Sequence, residues 1–206
     1  DAEMVRDAAL AWSGMLVEKL GGPSVKPYQP EGIWEAVAMP TSNTKTYQAD
    51  QGEGLYRRSL YTFWKRSAPP ALLEIFNAPS RENTCVRRER TNTPLQALAT
   101  MNDPQFVEAA RRLAERLLGE SGGDTASRLD RLTLTVLARR LAPAERKIVE
   151  EALADFLRHY RAAPDEARKL IAVGAQPPSS ALDPAELAAW TMVANQVMNL
   201  DEALCK

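Results

Sequence analysis

Three times in its second half the chain sets a hydroxyl or carboxylate side chain directly before a proline at the head of an apolar-periodic segment: Thr93–Pro94 in TPLQ, Asp103–Pro104 in DPQFVEAARRLAERLL and Asp183–Pro184 in DPAELAAWTMVANQVM. Proline holds φ near the helical value and lacks the N–H that a central strand must donate, whereas at the first helical position that N–H has no partner to lose. The residue before it offers a side-chain oxygen to the open amides of the first turn. Gln96 stands three residues after Thr93, where it can bond back to the cap, so TPLQ predicts a capping box. These positions start helices, and the half of the chain that holds them is expected to be a helical bundle.

Apolar spacing agrees. Leu187, Trp190, Ala194, Val197 and Met198 form one stripe, Leu129, Leu132 and Val136 a second over 127–141, and Ile148, Ala152, Phe156 and Tyr160 a third over 144–161, with LAPAER as the tight corner between the last two. GAQPPSSALDP has linker composition and is short enough to lie inside one domain. The first half is less regular. Met4, Val5, Ala8, Trp12, Met15 and Leu16 predict an opening helix closed by Gly21–Gly22, and Pro23, Pro27 and Pro30 then forbid helix until a short one in EGIWEAVA. Residues 39–54 read as a long polar loop in which KTYQA could pair as a minor strand. LYRRSLYTFWKR, with Leu55, Leu60, Phe63 and Trp64, suits helix or strand, and Pro69–Pro70 starts a short helix through Phe76. The fold class is therefore mainly α: a loop-rich half, 1–92, packed on a bundle half, 93–206, in a single domain with at most a minor β element.

Charge and cysteines exclude several functions. The chain balances 26 Lys and Arg against 27 Asp and Glu, without the basic excess of a general nucleic-acid or membrane-surface binder. No apolar run is long enough to span a membrane. Cys85 and Cys205 stand far apart with no cysteine or histidine at ligand spacing, so no zinc or haem-attachment motif is present. His159, the one histidine, lies between Arg158 and Tyr160 on an amphipathic segment and reads as a surface residue, and no triad or phosphate loop accompanies it. The chain carries no recognisable catalytic motif. It opens at Asp1, as if inside a helix, and reads as a piece of a longer protein.

Positive charge is nevertheless concentrated. Residues 55–90 hold eight basic side chains against Glu74, Glu82 and Glu89. Arg57, Arg58, Arg81, Arg87 and Arg88 could converge near the start of the Pro94 helix, whose open amides already favour an anion, with Thr91, Asn92 and Gln96 as neutral donors and acceptors. Trp34 and Trp64, in the irregular half, are the expected flanking aromatics, since Trp12 and Trp190 fall on buried stripes. The competing reading is architectural: arginine stems packed on rings, heads paired with carboxylates, and a polar plug at a helix start.

The ordered set GGPSVKPYQPEGIW, LYRRSLYTFWKR, FNAPSRENTCVRRERTNTPLQALATMNDPQFVEAARRLAER and NLDEALCK resembles the planctomycete-type secreted domain of unknown function, the C-terminal part of large multidomain proteins. The resemblance implies export to the periplasm or cell exterior, upstream domains as partners, a cytochrome c-like haem segment upstream, and work on complex, often sulfated polysaccharides. It implies no cofactor in this chain, which lacks Cys-x-x-Cys-His. The expected function is a non-catalytic binding or docking module for an anionic or sulfated glycan or for an upstream redox domain. One alternative is a share in a composite active site for polysaccharide modification completed by an upstream domain; another is a purely structural role.

Overall fold

The computed structural model describes residues 1–119 and 123–205. Among them ten α-helices follow one another: α1 (Ala2–Ser13), α2 (Ile33–Val37), α3 (Ala71–Ile75), α4 (Pro94–Asn102), α5 (Pro104–Gly119), α6 (Thr125–Leu137), α7 (Pro143–Ala162), α8 (Pro164–Ile171), α9 (Pro184–Met198) and α10 (Asp201–Leu204). Gly52–Tyr56 and Ser59–Tyr61 are 3₁₀ turns. No sheet forms among the described residues, and β pairing is limited to isolated bridges such as Val17 with Arg57 and Val25 with Thr62.

The proline-led starts behave as their chemistry requires. Thr93 N–H donates to Gln96 Oε1 at 2.9 Å and Gln96 N–H to Thr93 Oγ1 at 3.3 Å, a closed capping box. Asp103 accepts from Gln105 N–H at 2.8 Å, and Asp183 from Glu186 N–H at 2.8 Å. Ala142, heading α7, has no side-chain acceptor, so only the reciprocal half of a box forms there, Glu145 accepting from Ala142 N–H at 2.7 Å.

Two expectations about the first half need correction. The opening helix ends at Ser13, well before Gly21–Gly22, because Gly14 takes φ 76° and closes a Schellman cap: Met15 N–H reaches Leu10 O at 2.8 Å and Gly14 N–H reaches Ala11 O at 3.0 Å. Its buried positions are Ala2, Arg6, Ala9, Leu10 and Ser13, while Met4 is exposed. KTYQA forms no strand. Tyr47 instead donates to Pro27 O at 2.5 Å, and Asp50 exchanges bonds with Lys26, its amide donating to Lys26 O and its carboxylate accepting from Lys26 N–H, both at 2.8 Å.

The described chain divides into two compact units, one of Asp1–Ala8 with Leu16–Ala99, the other of Ala9–Met15 with the residues from Thr100 onward. In the first, long loops have too few backbone bonds of their own, and a buried arginine supplies them. Arg6 donates to Leu55 O at 2.5 Å, Arg57 O at 2.9 Å and Ser59 Oγ at 3.1 Å, while Asp7 accepts from Ser59 N–H at 2.7 Å. Trp34, Leu55, Tyr56, Val25 and Leu73 are among the buried apolar side chains of this unit.

The second unit is built on α9, which packs against α5, α7 and α8. Its buried residues, Leu187, Ala188, Ala189, Trp190, Val193, Ala194, Val197 and Met198, lie on more than one face, the pattern of a central helix. GAQPPSS lies inside this unit. Glu108 of α5 accepts from Gln176 N–H at 2.8 Å, Arg111 donates to Gln176 O at 2.6 Å, and Glu115 accepts from Ser179 N–H at 3.0 Å. α8 lies in a stretch to which sequence periodicity assigns no element. Ile148 is exposed on α7, whose buried residues are Leu153 and Tyr160.

Candidate functional site

The ten residues singled out from sequence divide into two groups, and side-chain pairing makes the division. Arg57 is buried and both its terminal nitrogens are engaged: its Nη1 donates to Pro23 O at 2.9 Å, its Nη2 to Lys19 O at 3.0 Å and to Gly21 O, and its guanidinium lies 3.9 Å from the centre of the Tyr61 ring. It clasps the Lys19–Pro23 turn. Gln96 is equally committed, its Nε2 donating to Ile75 O at 2.9 Å and to Thr91 Oγ1 at 2.8 Å. Thr91 Oγ1 also accepts from Asn77 Nδ2 at 2.7 Å, with Asn77 at φ 57°, a left-handed conformation that asparagine tolerates. Trp34 is 1% exposed, edge-on to Tyr47 at 4.9 Å with Lys65 Nζ 4.7 Å from its ring centre, so it is core and offers no face to a ligand. Trp64 is half-buried, donates to Ser80 O at 3.3 Å and carries the Arg81 guanidinium 4.6 Å from its ring centre. For these residues the polar-plug reading describes what they do.

Beyond Ser80 the pattern changes. From Arg81 to Pro94 every residue is exposed except half-buried Arg88. Arg88 donates to Glu3 Oε2 at 2.6 Å. Burial pushes Glu3 upward, but the Arg88 hydrogen bond, its own backbone amide and the Arg88 charge outweigh this and leave the carboxyl below its ordinary range. Arg90 sits 3.9 Å from Asp1 with its side chain 81% exposed, and Arg58 lies 3.7 Å from Asp7. Arg87 has no hydrogen-bond or ion-pair partner among the described residues. Asp1, Arg87, Arg88, Glu89, Arg90 and Thr91 line an open concavity of about 890 Å³. Asn92 is exposed at its edge of the segment.

The same residues explain why the segment holds a place without secondary structure. Its C-terminal end is tied to α4 and α3 through Thr91 and Gln96, its middle to α1 through the Arg88–Glu3 pair, and its N-terminal end to Trp64 through Arg81, which sits at φ 63°. The anchoring groups are spent on the fold, while the outward guanidinium of Arg87 and the far sides of Arg88 and Arg90 remain toward solvent. Guanidinium forks of this kind bind carboxylate, sulfate or phosphate oxygens in pairs.

His159 bonds Glu166 at 2.8 Å on an exposed face. Cys85 and Cys205 are free and exposed, and no cluster of His, Cys, Asp and Glu suited to a metal ion occurs among the described residues. No helix of the described residues is long and apolar enough to cross a membrane.

Fold and surface thus define a helical domain with an anchored, arginine-bearing surface segment. The PSD1 family model, described as a protein of unknown function (DUF1553), matches residues 1–153, and the chain belongs to that family. The match takes in the arginine segment, α4 and α5, and ends within α7. No curated protein matches the chain, and no solved structure does.

Proposed function

We propose that this domain is a non-catalytic binding module that docks an anionic partner on the segment from Arg81 to Asn92. The observation that carries the reading is Arg87, a guanidinium with no protein partner among the described residues, beside Arg88 and Arg90 on an open concavity. A surface arginine without a carboxylate is common, but this one lies on a segment tied at both ends, and preorganisation lowers the entropic cost of binding. The chain as a whole carries a formal charge of -1, so attraction of an anion here is local. The family resemblance supports placing the module in an exported multidomain protein, with a sulfated or carboxylated glycan or an acidic face of an upstream domain as the anion. Haem, if present, belongs upstream.

Isothermal titration with heparin, polygalacturonate and polyglutamate tests this. Binding to at least one, weakened about 1.4- to fivefold by Arg87→Ala and falling with added salt, is the expected result, since an exposed ion pair contributes roughly 0.2–1 kcal/mol. Heat from none of them, or binding indifferent to Arg87→Ala combined with Arg88→Ala, refutes it.

A further inference from the structure

The long connections of this chain engage their main-chain groups, with one exception. After α1, Val17 N–H donates to Tyr56 O and Val25 N–H to Tyr61 O; after α2, Ser42 N–H donates to Met39 O and Asp50 N–H to Lys26 O. Before α9, Gln176 N–H and Ser179 N–H reach Glu108 and Glu115. From 83 to 90, by contrast, no main-chain N–H or C=O has a hydrogen-bond partner among the described residues. Side chains give this stretch little cover, since only Arg88 is half-buried and Val86 is fully exposed. Its ends are nevertheless fixed, by Trp64 Nε1 on Ser80 O and by Gln96 Nε2 on Thr91 Oγ1.

A main chain in this state meets the first requirement of an endopeptidase. Such an enzyme holds its substrate as an extended strand through main-chain hydrogen bonds. Residues already bonded in a helix or turn must first open, and cleavage falls with the population of the opened form. An arginine-specific enzyme adds a second requirement, because it takes the preceding side chain into a pocket with a carboxylate floor. That requirement separates the four arginines of the segment. Arg81 lies on the Trp64 ring at φ 63°, and the next amide, Glu82 N–H, is bonded to Ser80 Oγ. Arg88 is held by Glu3. Arg90 faces Asp1 at 3.9 Å and precedes Thr91, whose hydroxyl is bonded to Asn77 and Gln96. Arg87 alone among the four combines a guanidinium without a partner with unpaired main chain on both sides. Lysines of the other loops fail the first requirement: Lys26 has its amide and carbonyl bonded to Asp50 and is followed by Pro27, and Lys45 N–H is bonded to Ser42 O.

We propose that the Arg87–Arg88 peptide bond is a processing site for an arginine-specific endopeptidase, which converts the domain to a two-chain form that stays assembled. Water adds across the bond and the C–N bond breaks, leaving Arg87 as a terminal carboxylate and Arg88 as a terminal ammonium. Each compact unit holds pieces from both sides of this cut. In the first, Arg88 with Glu3, Thr91 with Asn77 and Gln96 with Ile75 O join the two products. In the second, Ala9–Met15 belongs with the residues from Thr100 onward; Ala9 and Leu10 have no accessible surface there, and Arg116 donates to Trp12 O at 2.9 Å. Cleavage needs no docked anion, so the site stands apart from the docking reading above.

Trypsin, which cuts after lysine as well as arginine, is added in trace amount to the whole native chain, and the fragments are weighed by mass spectrometry as they appear. The first products expected are 1–87 and 88–206, eluting together in gel filtration with the helical circular dichroism of the uncut chain. Arg87→Gln should slow the loss of intact chain at least about fivefold, while Lys45→Gln leaves it unchanged. A glutamate-specific protease run alongside should cut first after Glu82 or Glu89. A first tryptic cut after Lys45, Arg140 or any residue other than Arg87 overturns the proposal, as does an Arg87→Gln chain cut as fast as the unaltered one. Products that separate once cut, or a first glutamate-specific cut outside 82–89, overturn it equally.

Discussion

Replacing Arg111 by leucine is expected to be among the most damaging single changes in the second unit. Arg111 has no accessible surface, and its guanidinium donates to Glu115 Oε1 at 2.6 Å, Gln176 O at 2.6 Å and Pro177 O at 3.4 Å, with Glu108 3.8 Å away. Removing it takes a buried cation from beside two buried carboxylates on one helix face. Glu115 keeps Arg112 and Ser179 N–H, while Glu108 keeps Gln176 N–H. Breaking one side of a buried ion pair costs about 3–5 kcal/mol, because the surviving charge stays desolvated. With a urea dependence of about 2–3 kcal/mol per molar, the unfolding midpoint, followed by circular dichroism at 222 nm, should fall by roughly 1–2 M. The double replacement Arg111→Leu with Glu115→Leu should cost less than the sum of the two single replacements, since one of the two buried carboxylates goes with the cation. A loss under about 1 kcal/mol for the single variant, or a double variant that is simply additive, would refute the view that α5 holds the 176–179 loop through a buried charge network.

Three other outcomes follow from the geometry. Gly174 sits at φ 101° and an added Cβ would fall 2.3 Å from Glu108 Cδ, so Gly174→Ala should destabilise by more than about 2 kcal/mol in the same urea assay. Ala138 closes α6 at φ 59°, where glycine is unstrained, so Ala138→Gly should raise stability by about 0.5–1 kcal/mol. Hydrogen bonds from Arg139 and from Ala142 N–H hold the Glu145 carboxyl down to about 2. Because the folded value lies below the ordinary one, its contribution is complete above about pH 4.5 and is lost as pH falls toward 2, and a carboxyl carbon titration of Glu145 by NMR should show its midpoint near the lower value while Arg139→Ala raises it toward the ordinary range, the Ala142 N–H bond remaining.

Helix starts were legible from sequence because they depend on a few adjacent atoms. Thr93–Gln96, Asp103 and Asp183 cap where proline and periodicity place them, and the stripes Leu129–Leu132–Val136 and Leu187–Trp190–Val197 are buried. What was not legible depends on contacts far apart in the chain. Nothing local marks Arg6 as the hub of the first unit, since its acceptors lie some fifty residues away, and the same holds for Arg57 and the Lys19–Pro23 turn. The early end of α1 is hidden because Gly14 sits within an apolar periodicity that continues past it. Within the candidate segment, abundance of arginine was visible, but which arginine is spent on the fold is a matter of partners: Arg57 looks like Arg87 in sequence and differs from it entirely in structure. The exposure of Leu95 and Leu98 on α4 escapes notice for a related reason, as the buried Gln96 and Thr100 are spaced as well for burial as the leucines are.

The central claim is that arginines 87, 88 and 90 are open to an anionic partner while Arg57 and Arg111 are not. Arginine side-chain Nε–H resonances, assigned by single substitutions and followed as polyglutamate or heparin is added, test it most directly. The account predicts saturable shifts at 87, 88 and 90, with Arg57 and Arg111 unmoved. Shifts at none of the three, or shifts at Arg57 equal to theirs, would contradict it.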